Sequence, residues 1–257
     1  MSEREFTIYE VRDHVARLTL NRPNKKNALH RTMRREVQEA FRDIKNNPDV
    51  WLTIFSGNGN VFCAGKDLTE KIDPADDDGS VFSNDDLFLY QRKIFKPIVV
   101  ALNGPALAQG AGFVLSSDII IMSEQSSVGW PQVSRGIASG TGPSQGVHAM
   151  PWAQAMGYML RAKPVPPEDA LRLGIANEVV PHDDLLPCAE RWAAEIMANA
   201  PLAIRGIKEA ARRGQDLELE ARMRLARDIA DRVVQSEDAT EGIQAFKEKR
   251  KPNWKGK

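Results

Sequence analysis

Near the start of the chain, apolar and polar residues alternate in two short stretches, FTIYEV and VARLTLN, with RDH between them. A period of two marks a half-buried strand, so the spacing predicts an antiparallel pair. The period then changes. In RPNKKNALHRTMRREVQEAFRDIKNNPDV, the residues Met33, Val37, Ala40, Phe41 and Ile44 recur on one helical face, and Pro48 follows the end. WLTIFSG, PIVVALN and DIIIMS are short unbroken apolar runs, the pattern of strands buried on both faces. DLFLYQRKIF predicts a short helix. GNGNVFCAGKDL reads as a glycine-rich loop, and IDPADDDGSVFSNDD as a polar, acidic and mobile one. Strands alternating with helices predict an α/β core.

From residue 151 onward helical periodicity dominates. In DDLLPCAERWAAEIMANAP, the residues Leu185, Ala189, Trp192, Ala193 and Ile196 form one apolar face. LAIRGIKEAARRGQ and the charged segment after it continue the pattern. The chain therefore divides into a core over 1–195 and a helical C-terminal region over 196–257, whose apolar stripes suit packing on the core or on a neighbouring subunit. No 20–50-residue repeat is evident.

Composition narrows the function. The 257 residues are 42% apolar and 27% charged, ordinary for a globular protein, and the formal charge is zero. That balance gives no electrostatic footprint for nucleic acid or an anionic membrane. No apolar run approaches the roughly 20 residues of a membrane span. The acidic, polar start MSEREFTIYE does not read as a secretory signal. Cys63 and Cys188 make neither a disulfide framework nor a metal-ligand spacing, so a cytoplasmic setting and no bound metal are expected.

Candidate chemistry concentrates in two glycine-rich segments, FCAGKDL (62–68) and ALAQGAG (106–112). Neither carries the P-loop signature nor a well-placed G-x-G-x-x-G, which argues against nucleotide binding. Either loop alone is explained by tight turns. Two backbone N–H groups converging from separate segments would instead form an oxyanion hole, which stabilises charge on a carbonyl oxygen without any particular side chain.

Taken in order, LTLNRPNKKNAL (18–29), FCAGKDL, KPIVVALNGPALAQGAGFVLSSDIII (96–121), VGWPQVSRGIASGTG (128–142), ALRLGIANEVVP (170–181) and SEDATEGIQAFKEKRKPNWKG (236–256) resemble the enoyl-CoA hydratase/isomerase (crotonase) family almost end to end. The resemblance implies a spiral of ββα units with a helical C-terminal region for oligomerisation and active-site cover. It implies homotrimers or hexamers as paired trimers, and a coenzyme A thioester as substrate with no further cofactor. By motif position it implies the backbone N–H groups of Lys66 and Gln109 as the oxyanion hole, although glycine is more usual where Gln109 stands. Lys26, Ala28, Ala64, Asp67 and Leu68 are implied to line the coenzyme and thioester site, with Lys25 or Lys26 meeting a phosphate; Trp130 reads as core or interface packing before a wall of the acyl pocket.

The chain departs from the family where proton transfer belongs. Family hydratases use two glutamates; the corresponding residues here are Gly112 and Gln132. A third carboxylate position, used by some isomerases, falls at about Gly140. Gln132 donates and accepts hydrogen bonds but carries no proton at neutral pH. Gly112 is expected to leave a void for a bulkier acyl group or a water. Asp118 reads as structural, Glu124 as a turn residue, and Tyr90 and His148 as packing or surface residues before catalytic ones. The expected function is acyl-CoA processing through a stabilised enolate, by decarboxylation, isomerisation or retro-aldol cleavage rather than ordinary hydration. The alternative is a non-catalytic acyl-CoA-binding or scaffold protein.

Overall fold

The computed structural model describes residues 4–70 and 79–257. Part of the acidic stretch read as a mobile loop, residues 72–78, lies outside the described residues. The two alternating stretches form β1 (Thr7–Arg12) and β2 (Val15–Leu20), paired antiparallel. Asp13 and His14 between them both take positive φ, 50° and 64°, which matches the right-handed twist of a two-residue hairpin.

The central sheet has six strands in the order β1-β2-β3-β4-β6-β8, with β3 (Leu52–Gly57), β4 (Ile98–Leu102), β6 (Ile119–Ser123) and β8 (Glu178–Val180). Every pair after the first is parallel. Both faces are covered. Ile98, Val100 and Leu102 face a large core with helix α1 (Arg31–Asn46), while Val99 and Ala101 face a second core with Leu185, Ala189 and Ala193 of helix α7 (Leu185–Met197). That is why β4 has no polar member: a parallel strand between two layers has no wet side. All five apolar residues predicted for the α1 face are buried.

A small parallel sheet joins β5 (Pro105–Leu107) to β7 (Ser127–Gly129). Helix α2 (Asn84–Gln91) and helix α3 (Gln109–Leu115) flank the first of these strands in sequence. Short helices α4 (Val147–Ala149), α5 (Trp152–Met159) and α6 (Pro167–Arg172) follow, and the chain ends in α8 (Pro201–Gly214), α9 (Leu219–Val234) and α10 (Glu237–Glu248). Helix α8 is fastened to the sheet by charge: Asp118 pairs with Lys208 at 2.5 Å and Arg212 at 3.3 Å, and it accepts Ile98 N–H at 2.9 Å. Asp118 thus has the structural role read from the sequence. Ile207, Met223, Val234, Ile243 and Phe246 on these last helices stand exposed. Among the described residues no helix is long and apolar enough to cross a membrane.

Candidate functional site

Three segments far apart in sequence are laced together beneath the candidate site. Ala64 N–H donates to Lys26 C=O at 3.0 Å, Leu29 N–H to Gly65 C=O at 2.8 Å, and Asp67 N–H to Leu29 C=O at 3.0 Å. On the other side, Cys63 N–H donates to Pro105 C=O at 3.3 Å and Leu107 N–H to Cys63 C=O at 2.8 Å. KKNAL, FCAGKDL and ALAQGAG, recognised separately as motifs, are therefore neighbours. Buried Asn27 pins the first of them: its side chain accepts from Arg22 N–H and donates to Asn58 and Val61 carbonyls.

The loops approach so closely that two positions admit no side chain. A Cβ on Gly110 would stand 2.3 Å from Cys63 O. Gly65, at φ +95°, would place a Cβ 2.9 Å from both Ala108 Cβ and Gln109 Oε1. Ala108 precedes α3 with φ 54° and ψ −115°, a conformation that glycine enters far more readily. It is held there from two sides: its N–H donates to Gly129 C=O at 2.8 Å, and its C=O accepts from Thr141 Oγ1 at 3.4 Å. This strained residue sets the direction of the Ala108–Gln109 peptide. Gln109 N–H has no acceptor among the described residues.

Lys66 and Gln109 do meet. The contact joins Lys66 N–H to the Gln109 side-chain oxygen at 3.1 Å. The backbone was the part of Gln109 read from the sequence; the carboxamide on the neighbouring donor was missed, because nothing in AQGAG fixes a glutamine rotamer.

The other sequence-derived residues divide. Lys25 and Lys26 are exposed, and no carboxylate pairs with them or with Lys66 among the described residues. The N–H groups of Lys26 and Ala28 are engaged by Pro23 and Lys25 carbonyls. Ala28 C=O accepts from Arg22 Nη1 at 3.0 Å. Ala64 C=O receives no donor among the described residues. Leu68 projects into solvent. Asp67 takes a different place from that expected. Its carboxylate is 2.7 Å from Arg22 Nη1 and accepts from Thr69 N–H and Oγ1, so it clamps its own loop. The Thr69 hydrogen bonds, then the Arg22 guanidinium, hold it well below the usual carboxylate range. Trp130 is 2% exposed and packs in the core against Gly142 and Gly146 rather than lining open space.

The expectation of a void over Gly112 is corrected. A Cβ there would stand 2.8 Å from two ring atoms of Phe88. The phenyl ring, itself edge-on to Phe113 at 5.1 Å, fills the space a carboxylate side chain would take. Gln132 turns its Nε2 to Ser139 Oγ at 3.2 Å, while its buried Oε1 has no partner among the described residues. At the third position, the atom nearest a Cβ on Gly140 is Asp85 Oδ2, at 3.9 Å. Asp85 and Phe88 stand one turn apart on α2, so one helical face supplies both groups. The sequence pattern set Asp85 in the acidic loop and began the helix at Asp86, so the face that Asp85 shares with Phe88 was missed. Tyr90 packs beside Phe82, under Lys45, and exposed His148 lines a separate cavity of about 380 Å³ with Arg92 and Arg212. Glu124 lies in a turn, with its N–H on Val180 C=O.

Comparison with known proteins places the chain in a family. The family model for enoyl-CoA hydratase/isomerase matches residues 10–257. The chain is 31% identical to the (E)-benzylidenesuccinyl-CoA hydratase of Thauera aromatica, over 96% of this chain and 98% of that protein. It is 32% identical to the enoyl-CoA hydratase EchA19 of Mycobacterium tuberculosis, over 97% and 96%. The crystal structure of an enoyl-CoA hydratase/isomerase from Mycobacterium paratuberculosis superposes with a TM-score of 0.90 at 34% identity, covering 99% of this chain and all of that one. The α/β architecture with its helical C-terminal region is thus the crotonase fold, and the chain belongs to the enoyl-CoA hydratase/isomerase family.

Proposed function

We propose that this protein binds an acyl-coenzyme A thioester and stabilises its enolate between Lys66 N–H and Gln109 N–H, with a proton-transfer arrangement unlike that of a two-glutamate hydratase. The observation that carries the reading is the juxtaposition of these two residues across three laced segments, bridged by an oxygen acceptor at 3.1 Å from Lys66 N. When a base removes the α-proton, the C–H electron pair delocalises onto the thioester oxygen. Each backbone donor aimed at that oxygen is worth about 3 kcal/mol of barrier. The ammonium groups of Lys25 and Lys26, exposed and without a carboxylate partner among the described residues, support recognition of the coenzyme's phosphates.

The removed proton needs a base, and Gly112 and Gln132 supply none. Asp85 is the carboxylate beside Gly140, and we assign it this role in preference to a purely electrostatic one in the first turn of α2. Exposed apolar residues on α8–α10 support assembly through the C-terminal region, as a trimer or paired trimers. A binding-only role is the second reading; the Phe88 ring over Gly112 favours it.

A panel of acyl-CoAs tested for binding, turnover and α-proton exchange in deuterated water separates the two. Enolate chemistry predicts α-exchange on at least one thioester, reduced roughly 10²–10⁴-fold in Asp85→Asn. Tight binding without exchange on any thioester would leave the binding role standing. Crotonyl-CoA hydration at ordinary enzymatic rates would overturn the argument from the missing glutamates.

A further inference from the structure

We infer that the Gln109 carboxamide is a built-in occupant of the Lys66 donor, one that an acyl thioester must displace. This rests on the functional reading above and deepens it. The Gln109 side chain folds back across Gly65 and sets Oε1 on Lys66 N–H at 3.1 Å. The approach needs a bare Gly65, since a Cβ there would stand 2.9 Å from that same oxygen. A carboxamide oxygen and a thioester oxygen are both neutral sp² acceptors. The free protein therefore holds an internal stand-in for its ligand on one of its two donors.

The consequence is a binding cost for any ligand that brings an oxygen to this donor. Neutral thioester oxygen exchanges for neutral carboxamide oxygen at Lys66 with little net gain. An enolate oxygen forms charge-assisted bonds about twice as strong, so it displaces the carboxamide with a large surplus. The cost of displacing the glutamine falls equally on the thioester and on the enolate formed from it, so the glutamine weakens thioester binding and leaves the step from bound thioester to enolate unchanged. Ligands with no oxygen at the thioester position leave Gln109 in place.

The test compares wild type with Gln109→Met, which keeps the side chain's length and removes the acceptor. The probes are crotonyl-CoA and a butyl thioether of coenzyme A, read by titration calorimetry, with hydrogen exchange at the Lys66 amide measured alongside. The variant is expected to bind the thioester roughly 2- to 10-fold more tightly, the size of one neutral hydrogen bond. Its thioether affinity is expected to be unchanged, and its Lys66 amide to exchange faster by a similar factor. Gln109→Glu supplies the opposite arm: thioester binding weaker at neutral pH, recovering as the new carboxylate is protonated. Unchanged Lys66 exchange and unchanged thioester affinity in Gln109→Met, with wild-type binding intact, would overturn the displacement alone. Failure of wild type to bind any acyl-CoA would overturn the functional reading and displacement together.

Discussion

The two halves of the candidate site are built differently. The half proposed to donate is made of main chain: Lys66 and Gln109 N–H groups, held by bonds among residues 26–29, 63–67 and 105–107 and by the close contact of Gly110 with Cys63. The half proposed for proton transfer is made of side chains: Gly112, Gln132 and Gly140 stand where the family resemblance implies carboxylates, and α2 brings Phe88 and Asp85 against two of them. Main-chain donors depend on backbone path and so tolerate lysine and glutamine. A proton-transfer group depends on its own identity, so it changes with the reaction. On the proposed roles, charge stabilisation rests on backbone path and acid–base chemistry on side-chain identity.

The largest expected effect breaks the donor half outright. Gly110→Val places branched carbon where even a Cβ lies 2.3 Å from Cys63 O. It should cost about 3 kcal/mol or more in stability and abolish acyl-CoA binding; denaturant unfolding and calorimetry measure both. A variant with wild-type stability and binding would show that loop contact to be dispensable.

The second attacks the side-chain half. Gly112→Glu forces a carboxylate into the Phe88 ring and should cost about 1–3 kcal/mol by overpacking. Adding Phe88→Ala should recover part of that loss, so the pair should be strongly non-additive in thermal unfolding. Any gain of hydration should require the double variant. Strict additivity would mean that the Phe88 ring does not contest the space over Gly112.

The third concerns pH and the Asp67 clamp under Lys66. A carboxylate whose folded pKa is depressed contributes stability fully above its unfolded value of roughly 4, and that contribution is lost as pH falls toward the folded value. Wild type should therefore exceed Asp67→Asn in stability at pH 7, and the gap should close as the medium is acidified below about 4. A gap equal at pH 3 and pH 7, by urea melts, would contradict the direction of the shift.

The smallest effect sharpens the comparison. Ala108→Gly relieves a conformation with φ 54° and ψ −115° but adds chain entropy to the unfolded state. The net should be a gain of about 1 kcal/mol, visible as a Tm a few degrees higher. A lower Tm would mean that Ala108 is not strained.

Much of this was legible in the sequence. The β4 run, the α1 face and the loop motifs depend on neighbours within a turn or a pleat, and each formed where its period or glycines predicted. The structural role of Asp118 followed from its place at the start of a strand, and α8 brings Lys208 and Arg212 to it. Less legible was Asp67, whose carboxylate is bound to Arg22, 45 positions away.

The sequence by itself determined the family, the order of strands and helices, and the absence of glutamate at positions 112 and 132. These are properties of local period, motif order and residue identity. Only the tertiary structure decided that Phe88 closes the space over Gly112, that Asp85 comes beside Gly140, and that Gln109 lays its own oxygen on Lys66 N–H. The reason is physical: each depends on which rotamer meets which distant backbone, and that is fixed by packing between elements rather than by any pattern along the chain.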